Sequence, residues 1–171
     1  LDRHYFEKAL AAANGKDVAD KFLRNHLQME IDHRNIINLF EAHALGLSSE
    51  SIRKSLLDGG KLIPTAQLNT VANTDDDGVL DILRRSSRFD CNGLEEALKE
   101  AKNLRTLDPV VMWLHGREKK DLTRMSYLHP LSALPVIHYI SLKVQEVTDL
   151  RLIVRGVTAG LSAEVLEAHI L

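Results

Sequence analysis

Apolar positions recur at three- and four-residue steps along most of this chain, the period of a helix with one covered face. Asp2 reads as the cap of a first helix that ends at Asn14 and Gly15. After Asp17, another capping residue, Leu23, Leu27 and Ile31 follow at i+4 steps, then Ile36, Leu39 and Phe40, and the run stops at Gly46. Ser48 caps a short helix with Glu50 in its first turn, closed by Asp58, Gly59 and Gly60. Pro64 suits the first turn of a further helix running to about Ala72. Asn92 precedes an amphipathic run of Leu94, Ala97, Leu98, Ala101 and Leu104, and Asp108 with Pro109 opens a helix through Trp113. The last long helix starts near Pro135, with a stripe of Tyr139, Leu142, Glu146, Leu150, Ile153 and Val157. No stretch alternates with period two between turns, so the pattern predicts an all-α bundle of helical hairpins of unequal length.

Two parts of this pattern are the same. Glu146 stands 114 residues after Asp32, Gly160 114 after Gly46 and Ile170 114 after Leu56. Between these points an acid, a short amide or acid (Asn35, Asp149), two aliphatics, a Gly-Leu-Ser break and a second amphipathic helix recur in one register. The chain therefore reads as parts of a duplicated helical unit, longer than the usual solenoid periods. The division is residues 1–107, one unit, and residues 108–171, a C-terminal unit repeating part of the first. A repeated scaffold points first to an architectural role.

Composition narrows the class. With 171 residues, 44% hydrophobic and 27% charged, the chain can bury a core and is not disordered. A net charge of −2, with cations interleaved among acids, gives no footprint for nucleic acid. The single cysteine, Cys91, excludes an internal disulfide framework and reads as a packing residue. The longest apolar candidate, residues 131–142, is shorter than the ~18–20 residues of a membrane span. The opening at Leu1, with the repeat entered mid-pattern, suggests a piece of a longer polypeptide.

Candidate chemistry is sparse. Residues 73–78 imitate the start of a calcium loop, but position twelve, which should be a bidentate Glu, is Arg84. Gly59, Gly60 and Lys61 resemble a phosphate loop that lacks both the following Ser or Thr and the leading Gly. No two histidines stand at a metal-binding i, i+4 spacing, and no nucleophile elbow is present. The pattern calls for no catalytic residue, metal or cofactor. The acids on the apolar stripes carry more weight. Asp32 lies four before Ile36 and Glu146 four before Leu150. A carboxylate buried there needs a cation or several N–H donors, because an unpaired one costs several kcal/mol. Lys143, or an arginine from another helix, is the candidate partner, and the expected role is to fix the register in which two helices meet.

These residues also carry a family resemblance. The run from Glu30 through Asp32, Asn35 and Ile36, then Gly46 and Leu47, then Gly59, Gly60, Lys61 and Leu62, resembles the C subunit of archaeal-type (A-type/V-type) ATP synthases, whose relative is the vacuolar ATPase d subunit. A second stretch resembles it more strongly: Pro135, Tyr139, Lys143, Glu146, Asp149, Leu150, Arg151, Ile153, Arg155 and Gly156, closing with Gly160 and Glu164. Asp149 stands where the family often has Asn, Val157 where Lys is usual, and Glu41 with Ala42 where Arg is common.

The resemblance implies a piece of a funnel of three similar all-helical units related by pseudo-threefold symmetry. It implies a non-enzymatic central-stalk subunit that couples the soluble ATPase rotor to the membrane proteolipid ring. Its partners would be central-stalk subunits and that ring, and its place cytoplasmic and peripheral to the membrane. The signature positions are Asp32, Asn35, Gly46, Gly59, Gly60, Tyr139, Lys143, Glu146, Arg151, Arg155, Gly156 and Gly160. The alternative is a soluble helical adaptor without a rotary role.

Overall fold

The computed structural model describes residues 2–85, 89–167 and 169–170, so Leu171, the last residue of the second copy, lies outside the described residues. Those residues form helices and no strand. In chain order the helices are α1 (Asp2–Ala12), α2 (Val18–Ala44), α3 (Ser49–Ser55), a 3-10 turn (Thr65–Gln67) leading into α4 (Leu68–Val71), α5 (Asp76–Arg84), α6 (Cys91–Leu104), α7 (Asp108–Leu128), α8 (Leu134–Thr158) and α9 (Ala163–Glu167). The all-α expectation holds.

Local chemistry sets most boundaries. Asp17 caps α2 by accepting from the Asp20 N–H at 2.6 Å, and Ser48 caps α3 from the Ser51 N–H. Asp75, first acid of the calcium-like run, caps α5 by accepting from the Gly78 N–H at 2.9 Å. Five expectations shift. Asp2 is the first helical residue of α1 rather than its cap. Asp90, not Asn92, caps α6, accepting from the Gly93 N–H at 3.1 Å. α3 ends at Ser55, where Leu56 turns extended, and Pro64 precedes its 3-10 turn rather than entering it. α7 runs fifteen residues past Trp113 to Leu128, because Leu114 and Leu122 keep an apolar row going through the charged stretch.

The chain packs as two compact units, Leu1–Glu118 and Lys119–Leu171, each taking part of α7. In the first, Ile36, Leu39 and Phe40 of α2 meet Leu56, Ile63, Leu68, Val79, Leu83 and Leu94 in one core. A smaller cluster seats Phe6 of α1 on Leu27 and Ile31, with Leu57. In the second unit Leu122, Leu134 and Leu166 are buried, and His138 contacts the hydroxyls of Thr123 and Ser126 at 3.1 Å each.

Candidate functional site

The densest polar constellation of the first unit lies where α2 meets residues 55–63. Past Ser55, where α3 ends, that segment has no helix, yet Leu56, Leu57 and Ile63 sit in the two cores. Its backbone is thereby drawn off solvent and needs hydrogen-bond partners. α2 provides them along one edge, where Gln28, Asp32, Asn35 and Asn38 follow at helical spacing. Asn38 Nδ2 donates to the Ser55 carbonyl at 3.0 Å. Asn35 engages Leu57 twice, donating to its carbonyl at 2.9 Å and accepting its N–H at 2.7 Å. Gln28 Nε2 donates to the Gly59 carbonyl at 3.3 Å. The Asp32 carboxylate accepts three consecutive amides, from Lys61 and Leu62 at 2.8 Å and Ile63 at 3.1 Å. From α1, Arg3 donates to the Leu56 carbonyl at 3.2 Å.

The two glycines of this segment are demanded by the fit. Gly59 adopts φ +104°, open to glycine but strained for other residues. A Cβ on Gly60 would lie 2.2 Å from Asp32 Oδ1, so only glycine lets the backbone come this close. Asp32 is 1% exposed, and burial pushes its carboxyl above the ordinary aspartate value against the pull of the three amides. Its partner is thus backbone rather than the cation that the sequence pattern proposed, the second of the two ways such a carboxylate can be satisfied. The Lys61 and Leu62 amides, which a phosphate loop would present to a ligand, are already taken.

A side-chain pair ties α2 to α7: His33 Nδ1 lies 2.9 Å from Glu118. Burial works against the Glu118 charge, but the hydrogen bond and charge of His33 hold its carboxyl below the usual glutamate range. His33 Nε2 is buried without a hydrogen-bond partner. An open groove of 1120 Å³ runs beside the end of α2, lined by Phe40, His43, Asp76, Leu98, Lys102 and Arg105 among others. Within it, Asp76 lies 2.8 Å from both His43 and Lys102. Burial opposes the Asp76 charge, and these two partners keep its carboxyl below the ordinary value. Arg84 bonds Asp81 and Glu95. Cys91 donates to the Leu80 carbonyl at 3.5 Å, and burial raises its thiol, as befits a packing residue. Among the described residues no group of three or more His, Cys, Asp or Glu could hold a metal, and no helix is long and apolar enough to cross a membrane.

The signature positions of the second unit are arranged differently. Lys143 lies 2.6 Å from Glu146 and 5.8 Å from the Tyr139 ring centroid, on an outer edge of α8. The Glu146 side chain is 56% exposed, and Tyr139, Leu150 and Val157 are more than half exposed. Apart from the half-buried Ile153, the stripe read as buried from its spacing is therefore an outer face of this chain. Spacing reports that a face is apolar, not what covers it. The expected Lys143 pairing is present, as an exposed i, i+3 pair. Arg151 and Arg155 are also exposed. Gly156 is the buried exception, since a Cβ there would come within 2.2 Å of Leu166 Cδ2.

The two breaks marked by Gly46 and Gly160 share one geometry. Gly46 has φ +63° and Gly160 φ +75°. Around the first, the N–H groups of Leu45, Gly46 and Leu47 bond the carbonyls of Glu41, His43 and Ala42. Around the second, those of Ala159, Gly160 and Leu161 bond Arg155, Val157 and Gly156, each 114 residues on. Ser162 accepts from the Val165 N–H as Ser48 does from Ser51. The structure thus gathers Asp32, Asn35, Gly59 and Gly60 into one clasp and leaves the remaining signature residues outside it. Sequence reading missed Gln28, Asn38 and the His33–Glu118 pair. The signal for the first two was there, as polar residues in the same helical row as Asp32 and Asn35.

The profile of the ATP synthase (C/AC39) subunit family matches residues 1–169. The protein named as the C subunit of the A-type ATP synthase of Haloquadratum walsbyi is 32% identical over 165 residues, 95% of this chain and 45% of the relative. Proteins of the same name from Thermococcus gammatolerans (28% over 165 residues; 96% and 43%) and Methanosarcina acetivorans (28% over 164 residues; 95% and 44%) are also similar. The chain spans less than half the length of these relatives. No solved structure matches.

Proposed function

The chain belongs to the ATP synthase (C/AC39) subunit family, structural rather than catalytic subunits of ATP synthases, and we propose that it acts as part of a central-stalk subunit of a rotary A/V-type enzyme. In this reading it couples the soluble ATPase rotor to the membrane proteolipid ring during ATP synthesis and ion transport. The family match over residues 1–169 carries the reading. Its partners are central-stalk subunits on one side and ring loops on the other, and it reaches the membrane only through those proteins.

The geometry suits the task. A coupler must pass torque without twisting, and stiffness comes from close packing and from loops that cannot slide. Residues 56–63, an irregular stretch beside α2, are pinned to it by side chains that grip backbone. The recurrence of the Gly46 turn at Gly160 supports reading residues 1–107 and 108–171 as whole and partial copies of one helical unit, in a funnel of three. The test is to tag the polypeptide that carries this sequence, extract source membranes in mild detergent and identify what co-purifies. Central-stalk subunits and proteolipid ring, both lost on deleting this region, are the expected result. Recovery of neither, with the tagged protein fully soluble, overturns the reading.

A further inference from the structure

The sequence holds two Asn-Gly pairs, Asn14 with Gly15 and Asn92 with Gly93. Glycine has no Cβ to shield its nitrogen, so this pair is the one most prone to ring closure, in which that nitrogen attacks the asparagine side chain. The fold gives the two pairs opposite surroundings. Asn92 lies in the first turn of α6, and the Gly93 N–H is held by Asp90 at 3.1 Å. Closing a ring there demands a ψ far from the helical value and the loss of a cap. Asn14 and Gly15 stand in the link between α1 and α2, both exposed and neither helical. No hydrogen bond holds the Gly15 N–H among the described residues. A Cβ on Gly15 would run into the Asp20 carboxylate, so the fit that favours glycine here also keeps the reactive pair.

We propose that Asn14 is a site of spontaneous deamidation, and that the isoaspartate formed there loosens α1 from α2. The Gly15 nitrogen gives its proton to hydroxide and bonds to Asn14 Cγ. The tetrahedral carbon then expels the side-chain nitrogen as ammonia, closing a succinimide. Water opens that ring at either carbonyl and leaves aspartate or isoaspartate, with nothing oxidised or reduced. Isoaspartate puts an extra methylene into the backbone directly after Ala13, which is 2% exposed and packs with Phe6, Leu27 and Ile31. Either product also sets a carboxylate just past the C-terminal end of α1, the end of a helix that favours cations. The isoaspartyl carboxyl is the substrate class of a methyltransferase that uses S-adenosylmethionine, which makes such an enzyme the probe.

Peptide mapping of the polypeptide that carries this sequence, held at mildly alkaline pH and sampled over days, tests this. In the folded protein Asn14 converts more than an order of magnitude faster than Asn92, and in guanidinium chloride the two convert at like rates. Methyl transfer by a protein isoaspartyl methyltransferase appears at residue 14 and is lost in Asn14→Gln. Amides of α1 exchange hydrogen several-fold faster in the aged wild type than in Asn14→Gln aged alike. Folded protein in which Asn14 stays intact, or in which Asn92 converts as fast, overturns the site. Equal exchange in the two aged proteins overturns the loosening of α1.

Discussion

Asp32 and Glu146 stand at matching places in two long helices of like pattern, each an acid four residues before an aliphatic on an apolar row. Asp32 is sealed from water and holds three loop amides, whereas Glu146 lies in solvent beside Lys143. The helices themselves do not explain the divergence. α2 is followed by residues 55–63 and the α4–α5 core that closes over its Ile36 and Phe40. Their matching residues in α8, Leu150 and Val154, are exposed. A helix pattern specifies a face, and the segment packed on that face decides whether an acid there becomes a buried anchor or a surface charge.

The sharpest way to break this comparison is to remove both acids. Asp32→Ala strands three loop N–H groups and should destabilise the chain by about 3–5 kcal/mol in urea unfolding. Glu146→Leu should change it by no more than about 0.5 kcal/mol, because an exposed i, i+3 pair contributes little. Equal losses would mean that the two sites are alike after all. Where the regions agree, substitutions should agree too. A Cβ on Gly46 or Gly160 meets nothing within 4 Å, so only the positive φ resists substitution. Gly46→Ala and Gly160→Ala should each cost about 1 kcal/mol, read from thermal melts of the two variants.

The smallest effect separates the regions by pH. Val147 stands where the first unit has His33, so the His33–Glu118 pair has no counterpart on α8. The folded Glu118 carboxyl titrates below its ordinary 4.5. Its contribution is therefore complete above that value and is lost as pH falls through the folded one. Unfolding free energy should drop more steeply below that point in the wild type than in Glu118→Gln, followed by urea titration at stepped pH. Identical slopes would remove the pair from the account of stability.

What sequence reasoning recovered follows from what each signal encodes. Asp17, Ser48 and the Gly46 stop are local rules, satisfied by one side chain and the nearest amides, and they held. At residues 90–92 two capping types flank Cys91, and burial of Cys91 in the first helical turn made Asp90 the cap. α7 was read short because Gly116 and a run of charges interrupt its pattern, while the rows of Leu114 and Leu122 that extend it are too widely spaced to stand out. Burial of the Asp32 carboxylate was legible and its partner was not. Side-chain patterns cannot announce a grip on backbone amides nearly thirty residues away.

Apart from Gly59 and Gly60, that grip reads the chain's length rather than its letters. Asn35 holds residue 57 and Asp32 holds residues 61–63, in each case by the backbone. Exchanges at Lys61 or Asp58 leave the hold on the backbone unchanged. One inserted residue between the two anchor points throws them out of phase. Lineages descending from such a segment are free to drift in composition at these positions, but not to gain or lose a residue there.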